Sequence, residues 1–288
     1  MNPAIYFSFQ AALCFSIAHI LIRRGLKESN AMTGSLISLT MSAVTLWCAL
    51  PFFVPLAALG NPALLIFVLA GVFAPGIGRT LSYVGIEKIG VARSVPIANS
   101  SPIFASIFAV IFLAEAWVLQ NIVGTVLVIS GVIVLSMAKP PQGEWRKIDV
   151  IYPLIGAVAF GASSTLRKAG LGFVDIPLLA AAVTAGTAAV FSFTLVQIQG
   201  GKQTLKLTRR SAAWLFPAGI FNTAAMLSVF FALSHGKVVI VEPLVSSNPV
   251  TTLLLTSIFL RDVESLTLRV VIGAALTVTG TILVVLVK

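Results

Sequence analysis

The chain has 288 residues, of which 58% are apolar and only 10% are charged, and its mean hydropathy is +1.04. Soluble domains carry about 25% charged residues, so this composition excludes a soluble globular protein and predicts an integral membrane protein. The net charge of +10 does not indicate a nucleic-acid-binding protein, because the basic residues lie in short connections rather than on one soluble face.

Ten apolar segments are long enough to form transmembrane helices, since a bilayer core of about 30 Å needs roughly 20 apolar residues per helix. In chain order they cover residues 3–22, 32–58, 63–86, 91–113, 117–137, 150–168, 177–198, 211–234, 239–260 and 267–287. Their continuous apolarity predicts helices, because the strands of a membrane barrel are about 10 residues long and alternate in polarity. The first segment has neither a basic leader nor an obvious small-residue cleavage site, so we expect a retained helix.

The segments form two matching sets of five. Val91–Glu115 corresponds to Val238–Asp262 at a constant spacing of 147 residues. A polar linker, residues 140–149, contains a Pro-Pro-x-Gly run and divides the chain into a first repeat, 1–139, and a second, 150–288. An odd number of spans per copy inverts the second copy in the membrane, and inverted repeats around a central site are typical of secondary transporters. We therefore predict an all-α integral membrane protein with ten transmembrane helices in two inverted five-helix repeats.

Lysine and arginine residues are concentrated in the loops after the first, third, fifth and seventh segments: Arg23, Arg24, Lys27, Lys88, Arg93, Lys139, Arg146, Lys147, Lys202, Lys206, Arg209 and Arg210. The loop after the second segment, residues 59–61, has none. Because cytoplasmic loops carry the excess of positive charge, we predict the odd-numbered loops in the cytoplasm and both termini outside. The second loop of copy one is uncharged whereas its counterpart in copy two is basic, as an inverted pair requires.

Two polar runs interrupt the apolar segments: Asn99-Ser100-Ser101-Pro102 in the fourth, and Ser246-Ser247-Asn248-Pro249 in the ninth. A proline inside a helix frees a carbonyl group one turn earlier, and Ser or Asn side chains can either satisfy that group or face a cavity. A pseudo-two-fold axis would bring the two runs together at the midplane. We therefore predict that they bind substrate, and a hydrogen-bonded kink is the structural alternative; both can hold at once.

Arg79 lies well inside the third segment. An arginine near a helix centre costs about 2.5–3.5 kcal/mol, so it should face protein or water and have a partner. We expect Glu242 to be that partner, with Tyr83 on the same face. Arg79 is a candidate for binding a carboxylate or phosphate of the substrate, whereas an ion pair or an arginine reaching to the interface is the structural alternative. Its counterpart in the second copy is Met226.

Other polar residues in the spans are weaker candidates. His19 could carry a proton, since histidine titrates near neutral pH, or it could be an interfacial residue beside Arg23 and Arg24. Glu242 is the acidic residue that we nominate for gating or coupling. Further pathway candidates are Gln10, Ser16, Asn222 and Thr223.

Several residues at span ends have a predicted structural role. Glu115 and Asp262 each precede the next helix, where a carboxylate stabilises the unpaired N–H groups of the first turn. Glycine pairs seven residues apart, Gly124/Gly131 and Gly273/Gly280, should let neighbouring helices approach closely. The thiols of Cys14 and Cys48 fall inside apolar spans and are expected to be small core residues.

A family resemblance rests on these positions. The pattern Pro102…Phe112-Leu113-Ala114-Glu115, followed by Gly124 and Gly131, recurs as Pro249…Phe259-Leu260-Arg261-Asp262 with Gly273 and Gly280. It resembles the EamA family of the drug/metabolite transporter superfamily over essentially the whole chain. The resemblance implies ten helices in two inverted repeats, a substrate path between them, and export of amino acids or related metabolites.

The chain departs from that family in two respects. Asn248 stands where second-copy members often carry a glutamate before the proline, with Ser101 in the first copy. Family members are usually drawn with both termini in the cytoplasm, opposite to our charge-based orientation. The small multidrug members of the superfamily exchange protons through a glutamate in their first helix, and no acidic residue interrupts the first segment here.

We predict a multi-pass protein of the plasma membrane, in a bacterium the inner membrane, that moves a small polar metabolite by alternating access. The chain has no Ser-His-Asp or Cys-His arrangement and no phosphate-binding Gly-Lys-Ser/Thr loop, so we predict no enzyme activity, no metal and no cofactor. Its partners would be the bilayer and the solute, without nucleic acid, in a monomer or a homodimer. Two alternatives stay open: a membrane enzyme acting on lipid-linked substrates, and a non-transporting membrane partner or receptor, which would have a sealed centre.

Overall fold

The computed structural model describes residues 2–89, 97–98, 100–136, 146–248, 250–251, 255 and 268–286. The elements in these ranges are helices: α1 Pro3–Gly25, α2 Ala31–Phe53, α3 Leu64–Gly71, α4 Arg79–Ile89, α5 Ser101–Leu113, α6 Leu119–Ser136, α7 Ile151–Phe173, α8 Pro177–Ile198, α9 Arg209–His235, α10 Val238–Val245 and α11 Leu268–Val285. A π-helical segment, Val72–Gly78, joins α3 to α4. Short 3₁₀ turns cover Leu56–Gly60, Lys147–Val150 and Gly201–Thr204.

The described helices form a multi-pass membrane protein. Six helical stretches are long and apolar enough to cross a bilayer, and three shorter apolar helices accompany them. Large apolar side chains remain on the outside of the bundle, for example Phe52 at 83% and Phe112 at 73% exposure. In water such a surface would be a liability, whereas lipid tails cover it in a membrane.

Several helix boundaries differ from the sequence-based prediction. The second segment ends as a helix at Phe53, because Val54 and Pro55 are extended. The third continues to Ile89 through the π-helical segment. The sixth continues past the basic pair Arg167-Lys168 to Phe173. In the ninth, α10 ends at Val245 at the start of the polar run, and helical residues follow again at Asn248, Val250, Thr251 and Leu255.

The two copies are interleaved. Among the described residues, the most extensive helix contacts join α1 to α9, α6 to α11, α2 to α8, and α5 to α7, and each of these pairs combines one helix from the first copy with one from the second. α7 contacts α3, the π-helical segment and α4, so the sixth segment packs against the third. This contact is equivalent to that of α1 with α9, the first segment against the eighth, with the copies exchanged. The interior of the bundle therefore lies between the copies rather than within either one.

Each end of the bundle is joined by contacts between the copies. At one end, which we call the basic end, Arg210 pairs with Glu28 at 3.1 Å and the Asn30 amide donates to the Thr204 carbonyl at 2.6 Å. Lys88, at the end of α4, lies 3.8 Å from Asp149. The opposite end lies a helix length away and is joined by the Lys168 ammonium, which donates to the Leu233 carbonyl at 2.6 Å.

The glycine pairs lie where α6 meets α11. A Cβ atom added to Gly131 would lie 2.5 Å from the Gly273 carbonyl oxygen, and one added to Gly280 would lie 2.5 Å from the Gly124 carbonyl oxygen. Real Cβ atoms do not approach oxygen so closely, so only glycine permits this backbone contact. The expectation that both cysteines are core residues is wrong for Cys48, which is exposed, while Cys14 is partly buried.

Candidate functional site: a charged cavity between the copies

A cavity of about 490 Å³ lies inside the bundle. Its lining comes from both copies: Phe15, His19, Ile22, Leu26, Gly34, Ser35, Ser38, Leu39, Ala74, Pro75, Arg79 and Ser101 from the first, and Phe160, Ser164, Arg167, Asn222, Met226, Val229, Glu242, Val245 and Asn248 from the second. Most ligand sites are of this kind, an apolar wall with a few convergent polar groups.

The cavity extends along the bundle axis. Leu26 is the residue that ends α1 at the basic end, and Glu242 lies one turn inside the start of α10 at the opposite end. Between them, Asn222 lies at the middle of α9. A solute in the cavity would therefore lie at the depth where secondary transporters bind their substrates.

The π-helical segment shapes one wall. Pro75 has no N–H to donate, and the helix widens around it before Arg79 begins α4. Gly76 and Gly78 face Phe191 and Phe160 so closely that added Cβ atoms would lie 2.9 Å and 3.1 Å from those rings. Single-turn π segments inside α-helices are frequent at functional sites, and this one sets Pro75 and Arg79 against the cavity.

Two arginines and one glutamate, Arg79, Arg167 and Glu242, face the cavity. Arg79 and Arg167 are close enough to repel each other, and Arg167 is close enough to Glu242 to be attracted. The Glu242 carboxylate also faces the hydroxyl of Ser164. The formal charge of the lining is therefore positive by one, with the glutamate on the α7 side rather than beside Arg79.

The expected pair between Arg79 and Glu242 is not formed. Arg79 instead donates from Nη1 to the Ser35 hydroxyl at 3.3 Å, a long hydrogen bond from a group with five N–H donors. The salt bridges among the described residues are Lys88–Asp149 and Arg210–Glu28, and both lie outside the cavity. Met226, which corresponds to Arg79 in the second copy, lines the same cavity.

Arg167 is a cavity residue that the sequence analysis missed. Its Cζ atom lies 5.4 Å from the centroid of the Phe230 ring, a cation–π contact. Its Nε atom is buried and has no hydrogen-bond partner in the described part of the chain. The predicted segment ends at the Arg167-Lys168 pair, and the uncharged residues after that pair, up to Phe173, were the signal that α7 continues and that this arginine lies farther inside the span.

The lining also includes His19, Asn222 and Ser38 from the bodies of the spans. His19 is exposed to the cavity, and its ring lies nearly parallel to that of Phe15 with centroids 6.2 Å apart. Asn222 donates its amide to the Ser38 hydroxyl at 2.9 Å. His19 therefore belongs to the cavity rather than to the membrane interface.

Three of the weaker pathway candidates lie elsewhere. Gln10 is on the exposed outer face of α1. Ser16 is buried and donates to the Asn248 carbonyl at 2.9 Å, with the Thr251 hydroxyl also in contact. Thr223 is buried against Ser42, with their hydroxyl oxygens 2.9 Å apart. These residues are not among those that line the cavity.

Residues of the two polar runs bond backbone carbonyl groups, line the cavity, or do both. The Ser100 hydroxyl donates to the Ile97 carbonyl at 2.6 Å, and the Ser247 hydroxyl donates to the Leu244 carbonyl at 2.7 Å. Ser246 is also outside the lining. Ser101 and Asn248, the next residue in each run, do line the cavity, and the Asn248 amide donates to the Val245 carbonyl at 3.1 Å.

Glu115 caps a helix, but not the one that follows it in sequence. Its carboxylate accepts hydrogen bonds from the backbone N–H groups of Val238 at 2.9 Å and Val239 at 3.1 Å, which open α10 in the other copy. Ala114, in the left-handed region with φ of 50°, ends α5 and turns the chain so that Glu115 reaches across. Glu115 caps α10 because the interleaving of the copies places the start of α10 beside the end of α5.

Other predicted residues lie outside what the structure describes. Asn99, Pro249 and Asp262 are outside the described residues, as is most of the predicted linker. Tyr83 belongs to α4, but its side chain is not among those described.

Comparison with known proteins gives a family and a fold. The sequence profile of the EamA-like transporter family matches twice, over residues 2–137 and again over residues 147–286. No match was found among curated proteins. A solved structure, described only as a crystal structure of a protein, superimposes with a TM-score of 0.81 over 99% of this chain and 99% of its own, at 17% sequence identity. This chain is thus similar in fold to a known structure over nearly its whole length.

Proposed function

Because the chain belongs to the EamA-like transporter family, we propose that it is a secondary transporter that exports a small polar metabolite, amino-acid-like or another organic solute, by alternating access. Its ten spans would form two inverted five-helix repeats, residues 1–139 and 150–288, joined by the linker 140–149, in the inner membrane of a bacterium. The two separate family matches support this division. A monomer supplies both halves of the site.

The observation that carries the proposal is the cavity between the copies, with Arg79, Arg167 and Glu242 in its wall. Two arginines inside a membrane bundle are costly, at about 2.5–3.5 kcal/mol each, unless protein, water or a ligand compensates them. A cavity of about 490 Å³ holds a small solute. It also argues against the receptor alternative, which would have a sealed centre.

The solute in this proposal carries a carboxylate or a phosphate. Arg79 has five N–H donors and makes one long hydrogen bond, to Ser35, and the Arg167 side chain also lines the cavity, so both guanidinium groups are placed to bind an anion. The lining has one more positive than negative formal charge, which an anionic group would neutralise. Ser101, Asn248 and Asn222 would bind the uncharged polar groups of the solute.

The first experiment identifies the solute. Metabolites in cells and medium are compared with the protein overproduced and with its gene deleted. We expect a small organic anion or zwitterion to accumulate outside only when the intact protein is present. An Asn248→Leu variant of equal membrane abundance should not produce that accumulation. If no metabolite differs in either compartment, the export proposal is wrong.

The second experiment tests the anion site with that solute in proteoliposomes. Charge-assisted hydrogen bonds contribute about 1.5–3 kcal/mol, so Arg79→Gln should raise KM by roughly 10- to 100-fold. Arg79→Lys, which keeps the charge but not the planar fork, should raise it less. Arg269→Gln is the control, since Arg269 is exposed and outside the cavity. Unchanged KM in both Arg79→Gln and Arg167→Gln would remove the anion site from the proposal.

A further inference from the structure

A second, smaller pocket lies at the basic end, between the last turn of α1 and the first turns of α9. It has a volume of about 260 Å³ and is lined by Arg24, Lys27, Glu28, Arg210, Ser211 and Trp214. It shares no lining residue with the central cavity. Three of its six lining residues are cations, so it needs an explanation separate from transport.

The single acidic residue in this pocket is already neutralised. Glu28 accepts from Arg210 Nη1 at 3.1 Å through one carboxylate oxygen and from the Thr208 hydroxyl at 3.1 Å through the other. Lys27 is exposed, and Arg24 stacks its guanidinium 4.8 Å from the centroid of the Trp214 ring. Three cations and one carboxylate give the lining a net formal charge of about +2.

The surroundings of the pocket are those of a bilayer interface. Trp214 has the amphipathic ring that is enriched at headgroup level, and it lies about one and a half turns inside the start of α9. Further along the same helix, Phe216 and Ile220 are 43% and 55% exposed and face the lipid region. The pocket therefore lies near the level at which the apolar, exposed surface of α9 begins.

We propose that the pocket formed by Arg24, Lys27, Arg210 and Trp214 at the basic end binds a phosphate group, supplied by the headgroup of an anionic phospholipid. The guanidinium of Arg24 and the ammonium of Lys27 bind the phosphate oxygens, because charge-assisted hydrogen bonds to phosphate are among the strongest that side chains make. Basic pockets between spans on the cytoplasmic side are suited to such headgroups. The loop charges predict that side for this end.

The test uses the full-length protein with Trp214 as its only tryptophan, made by Trp47→Phe, Trp117→Phe and Trp145→Phe. It is reconstituted into phosphatidylcholine nanodiscs in which a small, equal fraction of lipid is either brominated phosphatidylglycerol or brominated phosphatidylcholine. Bromine quenches only nearby tryptophan. We expect the brominated phosphatidylglycerol to quench Trp214 more strongly, since each basic residue near the surface contributes about fivefold to anionic lipid binding.

Variants decide whether the preference belongs to the pocket. Lys27→Gln should lower it about fivefold, and Arg24→Gln/Lys27→Gln should abolish it. Lys237→Gln removes the same charge from an exposed site at the opposite end and should leave the preference unchanged. Comparing the two lipids within each variant cancels any change that loss of the Arg24 stacking makes to Trp214 emission. If Arg24→Gln/Lys27→Gln unfolds, Lys27→Gln alone still decides the matter.

A third arm distinguishes a lipid from free phosphate. Inorganic phosphate is titrated into nanodiscs without anionic lipid, with sodium chloride at equal ionic strength as the reference. A saturable change in Trp214 emission that Lys27→Gln weakens, without any preference between the brominated lipids, would assign the pocket to soluble phosphate and overturn the lipid source. Equal quenching by both lipids together with no response to phosphate would overturn the proposal as a whole.

Discussion

Ser101 and Asn248 stand 147 residues apart in sequence, at equivalent positions of the two copies, and both line the central cavity. The residue before each of them, Ser100 or Ser247, donates its hydroxyl to the carbonyl three residues earlier. In the first run, Ser100 bonds the backbone and Ser101 faces the interior. In the second, Ser247 bonds the backbone, and Asn248 both lines the cavity and donates its amide to the Val245 carbonyl at 3.1 Å. Backbone hydrogen bonding and a place in the cavity wall therefore occur together in both runs.

Replacing each serine of the first run separates these two roles. Ser101→Ala should raise the KM for the transported solute by about two- to tenfold, as expected for loss of a hydrogen bond of about 0.5–1.5 kcal/mol, without lowering thermal stability. Ser100→Ala should lower the free energy of unfolding by a similar amount and leave KM unchanged. Thermal unfolding and proteoliposome uptake measure the two effects. The reverse pattern would show that the cavity and kink assignments are exchanged.

The carboxylate of Glu115 stabilises the start of α10 from the other copy. Glu115→Gln removes the charge and one of the two acceptors of the Val238 and Val239 N–H groups. We expect a loss of about 1–2 kcal/mol in unfolding free energy, the range for a buried helix cap. Glu28→Gln is the control, because that ion pair is exposed at the basic end and should contribute about 0–1 kcal/mol. Equal effects of the two substitutions on the melting temperature would contradict this cap.

Composition and periodicity were sufficient to predict the class of the fold. Apolar runs of about 20 residues mark the spans, and the spacing of 147 residues gives the two-copy architecture directly. Arg79 could be found because a single charge interrupts an apolar run. Helix ends were harder to predict, since the π-helical turn at Val72–Gly78 and the extended Val54 depend on packing around prolines rather than on hydropathy.

Contacts between the copies could not be predicted from the sequence. Nothing in the spacing of Glu115 indicates the N–H groups of Val238, because their proximity depends on how the copies interleave. Arg167 was missed for a related reason: a basic pair at the end of an apolar run resembles a loop anchor, and only the packing of α7 against α9 shows that it faces the cavity. The partner of Arg79 was wrong because Glu242 lies on the α7 side.

The close approach of α6 and α11 should make Gly131 sensitive to any side chain. A Cβ atom there would lie 2.5 Å from the Gly273 carbonyl oxygen, so Gly131→Leu should separate the helices and cost about 1–3 kcal/mol or more. Gly172→Ala in α7 is the control, because nothing lies within 4 Å of a Cβ atom added to Gly172. It should be neutral or stabilising by up to about 1 kcal/mol. A stable Gly131→Leu protein would contradict the contact.

Glu242 is the acidic residue in the cavity wall and the candidate for coupling transport to protons. Glu242→Gln should abolish acceleration by a pH gradient while retaining exchange of solute across proteoliposomes without a gradient, since the arginines remain. His19→Gln, which also alters a titratable cavity residue, should retain the acceleration. If the Glu242→Gln protein still responds to the gradient, Glu242 does not couple transport to protons.

The predicted orientation can be tested at two exposed sites, one at each end of the bundle. Gly60 follows α2 in an uncharged loop, where an added Cβ meets no atom within 4 Å, and Gln203 is an exposed residue of the basic α8–α9 loop. In a protein with Cys14 and Cys48 replaced by alanine, we expect a membrane-impermeant thiol reagent to label Gly60→Cys in intact cells. Gln203→Cys should become labelled only after the membrane is opened, because the excess of lysine and arginine retains that loop in the cytoplasm.

The opposite labelling would reverse the orientation and place the phosphate-binding pocket on the outer leaflet. The cavity and its arginines would be unaffected, since their positions depend on the packing of the copies and not on which side of the membrane they face.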